Sequence, residues 1–188
     1  MKSRVNSHCD ALCRVFHSQL QELHLQAYVV TGSPHVASEC VIEAFEASQN
    51  AFLASSEFAY EAAKLATIKC ALRRVAADIR HHAFHDAADN NWGLTRDRSL
   101  HSSDLETACQ ERFLTSILQL NAFHRAVLLL RFYEHYRAYI VALLLRLPLS
   151  TIERGNRKAV ELLVASIHGT ETHDAGRDSV AELMPLHS

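Results

Sequence analysis

The chain has 188 residues, of which 48% are hydrophobic and 21% charged, with only 5 Gly and 3 Pro. So few turn-forming residues argue against an all-β fold, and the abundance of good helix formers predicts an all-α protein. No apolar run approaches the roughly 18 to 20 residues of a membrane span, and the first residues lack a secretory-signal pattern. We therefore expect a cytoplasmic protein without membrane insertion, whose 5 scattered cysteines are free thiols.

The first half of the chain predicts three helices. Apolar residues recur at helical spacing over about 9–30, 34–54 and 58–82. A Thr-Gly-Ser-Pro segment separates the first two helices. Within it, Ser33 can cap the second helix, with Pro34 at the first helical position, where a missing N–H costs nothing.

The domain organisation is predicted from a polar stretch in the middle of the chain. Residues 85–102 hold Asp-Asn-Asn, a Trp-Gly pair and alternating charges, a composition typical of a linker. We therefore expect two small helical domains, over residues 8–84 and 103–168. The polar residues 169–188 are expected to form a flexible tail.

The second half predicts a pair of helices joined by a short turn. The capping-box pattern Ser-x-x-Glu occurs at Ser103 and again at Ser150, and each occurrence predicts the start of a helix. A helix over about 136–146 ends near Pro148. Two helices joined by a few residues, the second with basic residues on its exposed side, describe a helix-turn-helix, although a plain helical hairpin fits the spacing equally well.

Charge is distributed in blocks along the chain. Residues 37–62 contain five acidic residues and no Lys or Arg, whereas 64–80 and 125–158 are rich in basic residues. Such blocks suit a protein that contacts another protein with one part and a polyanion with others. Solvated helix faces are the alternative interpretation.

The order of residues in the second half resembles a known family. Residues 127–134 read Val-Leu-Leu-Leu-Arg-Phe-Tyr-Glu. They are followed by Ala142, Pro148, Thr151, Ile152 and Ala159. This order resembles the C-terminal domain of extracytoplasmic-function sigma factors, whose pattern is roughly E-V-L-L-L-R-Y-x-E-G-L-S-Y-x-E-I-A-x-x-L-G-I-P-x-G-T-V-K-S-R-L-x-R-A. The match needs no gap from Leu128 onward.

A second segment upstream supports the same resemblance. Residues 31–37 read Thr-Gly-Ser-Pro-His-Val-Ala and are followed by Val41 and by Glu-Ala-Phe at 43–45. This looks like the family's T-G-D-P-x-D-A-E-D-x-V-Q-E-A-F. The two segments stand in the right order and at the right distance, and the resemblance covers most of residues 10–167.

The resemblance implies a sigma factor, which directs core RNA polymerase to promoter DNA and which an anti-sigma factor can bind. The first domain would dock on the polymerase and melt the promoter, and the second would read an upstream promoter element through the helix-turn-helix. By position, the implied polymerase-binding residues are Glu39 and Glu43. The implied promoter-melting residues are Lys64, Lys69, Arg73 and Arg74. The implied DNA-binding residues are Arg137, Thr151, Arg154, Asn156, Arg157 and Lys158.

The chain departs from the family pattern at several of these positions. Residues 135–138 read His-Tyr-Arg-Ala in place of Gly-Leu-Ser-Tyr, and 140–142 read Ile-Val-Ala in place of Glu-Ile-Ala. Residues 153–155 read Glu-Arg-Gly in place of Lys-Ser-Arg, which puts an anion where a phosphate-binding cation is usual. It also puts Gly inside a helix at a cost of about 1 kcal/mol. A divergent sigma factor fits these departures, and so does a sigma-like interaction protein that no longer recognises promoters.

Cysteine and histidine spacing suggests a metal or redox site as an alternative. Cys9, Cys13 and His17 follow one another at four-residue steps, so one helix face could present three soft ligands to zinc. One rigid helix cannot easily close four ligands around a tetrahedral ion. An amphipathic helix with incidental thiols is therefore the expected interpretation, and no bound metal is predicted.

The sequence offers little support for catalysis. His81-His82 and His85-Asp86 resemble the His-Asp motif of metal-dependent phosphohydrolases, but those enzymes draw metal ligands from several helices, and here the histidines are bunched beside the linker. There is also no phosphate-binding glycine loop and no nucleophile elbow. We therefore expect neither an enzyme nor a cofactor.

Overall fold

The computed structural model of the protein describes residues 2–49, 56–85 and 105–174, with side chains over 13–48, 59–85 and 110–167. Every regular element in these ranges is helical, which confirms the predicted all-α fold. The helices of the first half are α1 (Lys2–Thr31), α2 (Pro34–Gln49), α3 (Ser56–Arg74) and α4 (Ala76–His85). Those of the second half are α5 (Leu105–Leu118), α6 (Ala122–Leu128), a π-helical turn (Leu129–Tyr133), α7 (Ala138–Leu145) and α8 (Leu149–Asp174). No helix in the described ranges is long and apolar enough to cross a membrane.

Helices α1, α2 and α3 pack against one another as a three-helix unit. Gly32 ends α1 with a φ of +71°, a left-handed conformation that glycine adopts without steric cost. The Val36 N–H then donates to Ser33 Oγ at 3.4 Å, which confirms Ser33 as the predicted cap of α2. Inside the unit, the rings of Phe16 and Phe45 meet edge to face with centroids 5.1 Å apart.

The third predicted helix is broken into two at Val75. The sequence predicts one helix over 58–82, whereas the structure has α3 and α4. No proline or glycine explains the break. Val75, Ile79 and Ala83 are all buried, and α4 packs on α6 of the second half. We infer that the interruption at Val75 follows from this tertiary contact, which periodicity within one helix cannot reveal.

Two of the predicted boundaries in the second half differ from the structure. Helix α8 begins at Leu149, and the Thr151 N–H donates to the Pro148 carbonyl at 3.0 Å, so Ser150 lies inside the first turn rather than at a cap. At its other end α8 continues through Gly169 to Asp174, beyond the predicted end of the helix. The capping box predicted at Ser103 lies outside the described residues.

The buried side chains of the two halves form one continuous core. Helix α6 is central to it, because α6 contacts α1 and α4 of the first half and α8 of the second. Residues 86–104, which include most of the predicted linker, lie outside the described ranges. The division into two domains therefore stays a prediction.

Candidate nucleic-acid interface

Helices α7 and α8 are joined by a turn of three residues. The turn begins at Arg146, which has a φ of +54°, and its N–H donates to the Leu143 carbonyl at 3.3 Å. The Leu147 N–H donates to the Ala142 carbonyl at 3.0 Å, so the turn satisfies two carbonyls of the last turn of α7. Val141 on α7 and Ile152 on α8 are both fully buried and belong to the same core. The turn and this core fix the two helices relative to each other.

Three of the predicted DNA-binding residues are exposed arginines. Arg137 precedes α7, and Arg154 and Arg157 lie three residues apart on α8, hence on neighbouring positions of one helix face. Lys158 is half-buried, and its Nζ is 4.0 Å from a carboxylate oxygen of Glu161, a pair too exposed and too distant to hold the lysine. These cations form the candidate phosphate-binding surface.

The other two predicted DNA-binding residues lie deeper in the fold. Thr151 is buried, so in this structure its side chain does not reach the surface. Asn156 is half-buried, and among the described residues its Oδ1 accepts no hydrogen bond although that atom is buried. A contact with DNA from Thr151, or through Oδ1 of Asn156, would require a local rearrangement.

Gly155 lets α8 approach α6 closely. A Cβ placed on Gly155 would come within 3.0 Å of two carbons of the Phe123 ring, closer than real Cβ atoms approach their neighbours. Phe123 is itself only 1% exposed, so its ring has little room to move. Gly155, which the sequence presents as unfavourable inside a helix, is therefore a packing residue that lets α8 lie close to α6.

The predicted polymerase-binding and promoter-melting residues are brought together on α2 and α3. Arg73 pairs with Glu43, and Arg74 lies 3.4 Å from Glu43 and 3.5 Å from Glu39. All four side chains of this acid–arginine cluster are at least one-third exposed. Lys69 is exposed on the same helix as the arginines. In this structure the two predicted functions therefore share one surface, where their charges neutralise each other.

Lys64 lies apart from that cluster, at the contact between the two halves. Its Nζ is 3.0 Å from Glu134 and 3.2 Å from Glu61, and the Glu134 side chain is only 2% exposed. The Gln26 amide also donates to Glu134, at 3.3 Å. Burial lowers the pKa of Lys64, but the hydrogen bonds to Glu134 and Glu61 outweigh burial and raise the pKa above its usual value. Lys64 thus remains charged as an internal ion pair, and in this arrangement it is not offered to DNA.

Two further polar contacts between the halves were not predicted from the sequence. Arg125 on α6 donates to the Val30 carbonyl of α1 at 3.3 Å and to the Leu120 carbonyl at 2.6 Å. Tyr133 donates its hydroxyl hydrogen to Glu22 of α1 at 2.9 Å. A signal existed for Arg125, because an arginine inside an otherwise apolar stretch requires a specific partner when buried. The partner itself could not be identified from spacing.

The rival metal sites gain no geometric support from the described residues. In those ranges no group of three or more His, Cys, Asp or Glu side chains is placed to hold a metal ion. Cys13 and His17 are exposed, whereas the side chain of Cys9 lies outside the described set. The rings of His81 and His85 are 4.3 Å apart between centroids, as expected one turn apart on a helix.

No protein-family model matches the chain, and a search of curated proteins finds no match either. Function is therefore inferred from the chain's own residues and their placement.

Proposed function

We propose that this protein is a sigma-type transcription factor that binds core RNA polymerase through α2 and α3 and promoter DNA through α7 and α8. Two backbone conformations are the main support. Among the described non-glycine residues, only His135 and Arg146 have positive φ, at +55° and +54°. In the ungapped match, these two residues stand where the sigma-factor pattern has the glycines of E-G-L-S and L-G-I-P.

The coincidence is informative because left-handed backbone is costly for other residues, at about 1–2 kcal/mol. A chain derived from this pattern would be expected to keep the two turns, and hence positive φ at these two positions, after its glycines were replaced. The third glycine of the pattern falls on Ser150, which lies in the first turn of α8 and does not have a positive φ. The backbone therefore supports a relationship that several side-chain identities have lost.

The placement of cations adds a second line of support. Arg154 and Arg157 are exposed near the start of the helix that would enter the major groove, and Arg137 is exposed at the start of the helix before it. Arginine is well suited both to phosphates and to the edge of guanine. Glu153, exposed on the same turn as Arg154, opposes phosphate binding, so we expect the isolated surface to bind DNA weakly.

The second candidate function is a sigma-like interaction protein without promoter recognition. The acid–arginine cluster favours it, because Arg73 and Arg74 are neutralised by Glu39 and Glu43 on the neighbouring helix. Lys64 is neutralised within the interior as well. Melted DNA would have to displace these pairs, and the largely buried Lys64–Glu134 pair is the costly one to break. This candidate therefore retains polymerase binding and loses DNA recognition.

Binding to core RNA polymerase is the experiment that tests both candidates. The full chain is titrated against core polymerase, and the complex is then offered a pool of random duplex DNA. Saturable binding with enrichment of one sequence class supports the sigma factor. Binding without enrichment supports the interaction protein. Absence of polymerase binding would overturn both.

A pair of variants locates the polymerase-binding surface. Glu39→Gln with Glu43→Gln should weaken polymerase binding, most strongly at low salt, where charges are least screened. Glu46→Gln, exposed on the same helix, is the matched control and should leave the affinity unchanged. If the double variant and the Glu46→Gln control change the affinity for core polymerase equally, the polymerase binds another surface of the protein.

A further inference from the structure

An apolar groove of about 830 Å³ runs along the contact between the two halves. Its walls come from α1, α5, the end of α6, the π-helical turn and α8. Leu25 contributes from α1, Phe113 from α5, Phe132 from the π-helical turn and Val160 from α8. The volume falls within the roughly 300–1,000 Å³ typical of small-molecule sites.

The side chains of this groove leave an unusual amount of apolar surface uncovered. Leu25 is 42% exposed, Phe113 49% and Phe132 52%. Single exposed apolar side chains are common, but several gathered in one concave site mark a place where something binds. The π-helical turn contributes to the wall, and such turns occur frequently at functional sites.

The polar groups of the groove determine which head group it accepts. Among the described residues Glu111 is the one acidic residue in the lining, and no Lys, Arg or His lines the groove. The carboxylate of Glu22 accepts the hydrogen bond from Tyr133 and is not part of the lining. Gln26, also in the lining, is buried, and its Oε1 accepts no hydrogen bond from any described residue. One carboxylate and no cation in the lining favour a positively charged hydrogen-bond donor and disfavour an anion.

We propose that this groove binds an elongated apolar molecule with a cationic amine at one end, a long-chain alkylammonium being the simplest example. The alkyl chain covers Leu25, Phe113 and Phe132, while the ammonium lies towards Glu111. A fatty acid of the same length fills the same volume but brings its carboxylate to an acidic site. Because α1 belongs to one half and α8 to the other, the ligand also holds the two halves together.

Displacement of a fluorescent probe tests the proposal on the full chain. N-phenyl-1-naphthylamine, whose emission rises in apolar surroundings, is bound first and then competed with decylammonium or decanoate at pH 7.5, below their micelle concentrations. Decylammonium should displace the probe at about one-tenth of the decanoate concentration, since one charge is attracted and the other repelled. It should also raise the melting temperature, as any ligand of the native state does.

Two valines on α8 supply a matched pair of variants. Val160 lines the groove and is 36% exposed, whereas Val164, one turn further on, is 46% exposed and is not part of the lining. Val160→Trp should fill the groove and abolish probe binding, and Val164→Trp should not. Because both positions are exposed, neither tryptophan has to be forced into the core. Equal probe binding by the two variants would overturn the site.

The head-group preference has its own pair of variants. Glu111→Gln should reduce the preference for decylammonium over decanoate, whereas Glu153→Gln, exposed on α8 outside the groove, should leave it unchanged. Equal displacement by decylammonium and decanoate in the wild type would overturn the assignment of ligand class. Sedimentation velocity tests the rival occupant: a wild-type dimer that Val160→Trp converts to monomer would show that a second copy of the chain fills the groove instead.

Discussion

Replacing Gly155 by alanine tests whether packing against α6 or helix propensity dominates the contribution of this residue to stability. Considered within α8 alone, glycine is an unfavourable helix former, and alanine should stabilise the helix by about 1 kcal/mol. In the fold the added methyl group meets the Phe123 ring, which is nearly fully buried and has little space to withdraw. The two effects have opposite signs, so the direction of the change decides between them.

The magnitude follows from the two opposing terms. Forcing an extra methyl group into a well-packed core costs about 1–3 kcal/mol, against a gain in helix propensity of about 1 kcal/mol. We expect Gly155→Ala to destabilise the protein by about 1 kcal/mol. For a chain of this size, that change lowers the melting temperature by about 2–4 °C.

A double-mutant cycle in urea, followed by circular dichroism at 222 nm, measures the effect. Phe123→Leu removes the ring carbons that the new Cβ would meet, at its own cost in packing. In that background Gly155→Ala should become neutral or stabilising, which gives a coupling energy of about 1 kcal/mol or more. If Gly155→Ala alone raises the unfolding free energy, α8 does not approach α6 as described and the assignment of Gly155 as a packing residue fails.

Three other outcomes follow from the structure. Burial lowers the pKa of His124 from 6.5 to about 4, so on acidification the unfolded chain takes up a proton before the folded one does. The unfolding free energy should therefore fall by about 3 kcal/mol between pH 6.5 and pH 4. Urea titrations at a series of pH values should show this loss, and His124→Gln should reduce it. Arg157→Gln with Lys158→Gln should flatten the slope of log affinity against log salt for duplex DNA by about two, and an unchanged slope in fluorescence anisotropy would remove these residues from the interface. Lys64→Met should cost about 3 kcal/mol in urea unfolding because it leaves the Glu134 carboxylate buried and unpaired, whereas Lys64→Met with Glu134→Leu should recover most of that loss.

The helices themselves were largely predictable, because their periodicity and start signals are local. The Thr-Gly-Ser-Pro segment carried enough information to place both the end of α1 and the Ser33 cap of α2. The break at Val75 was not predictable in the same way, since it depends on where α6 lies. The start of α8 at Leu149 was missed because Ser150 has the composition of a cap but not its backbone position.

For the candidate interface, the sequence indicated which residues carry charge but not which charges meet. Exposure of Arg154 and Arg157 follows from helical spacing, whereas the pairing of Lys64 with Glu134 joins residues seventy positions apart and requires the tertiary fold. Gly155 is the sharpest case. Within α8 alone the glycine lowers helix stability, but because the Phe123 ring lies against it, the same glycine is needed for α8 to pack on α6.

The exposed and the buried ion pairs made by α3 differ greatly in how easily they can open. The pairs between Glu43 and the two arginines are exposed, and surface pairs of this kind contribute about 0–1 kcal/mol each, so a protein or DNA partner can replace them at little cost. The Lys64–Glu134 pair is largely buried, and breaking such a pair costs about 3–5 kcal/mol. Binding of a polyanion to α3 would therefore begin at Arg73 and Arg74 and leave Lys64 in place. Only a partner that also separates the two halves, and so admits water to Glu134, could recruit Lys64 to the same surface.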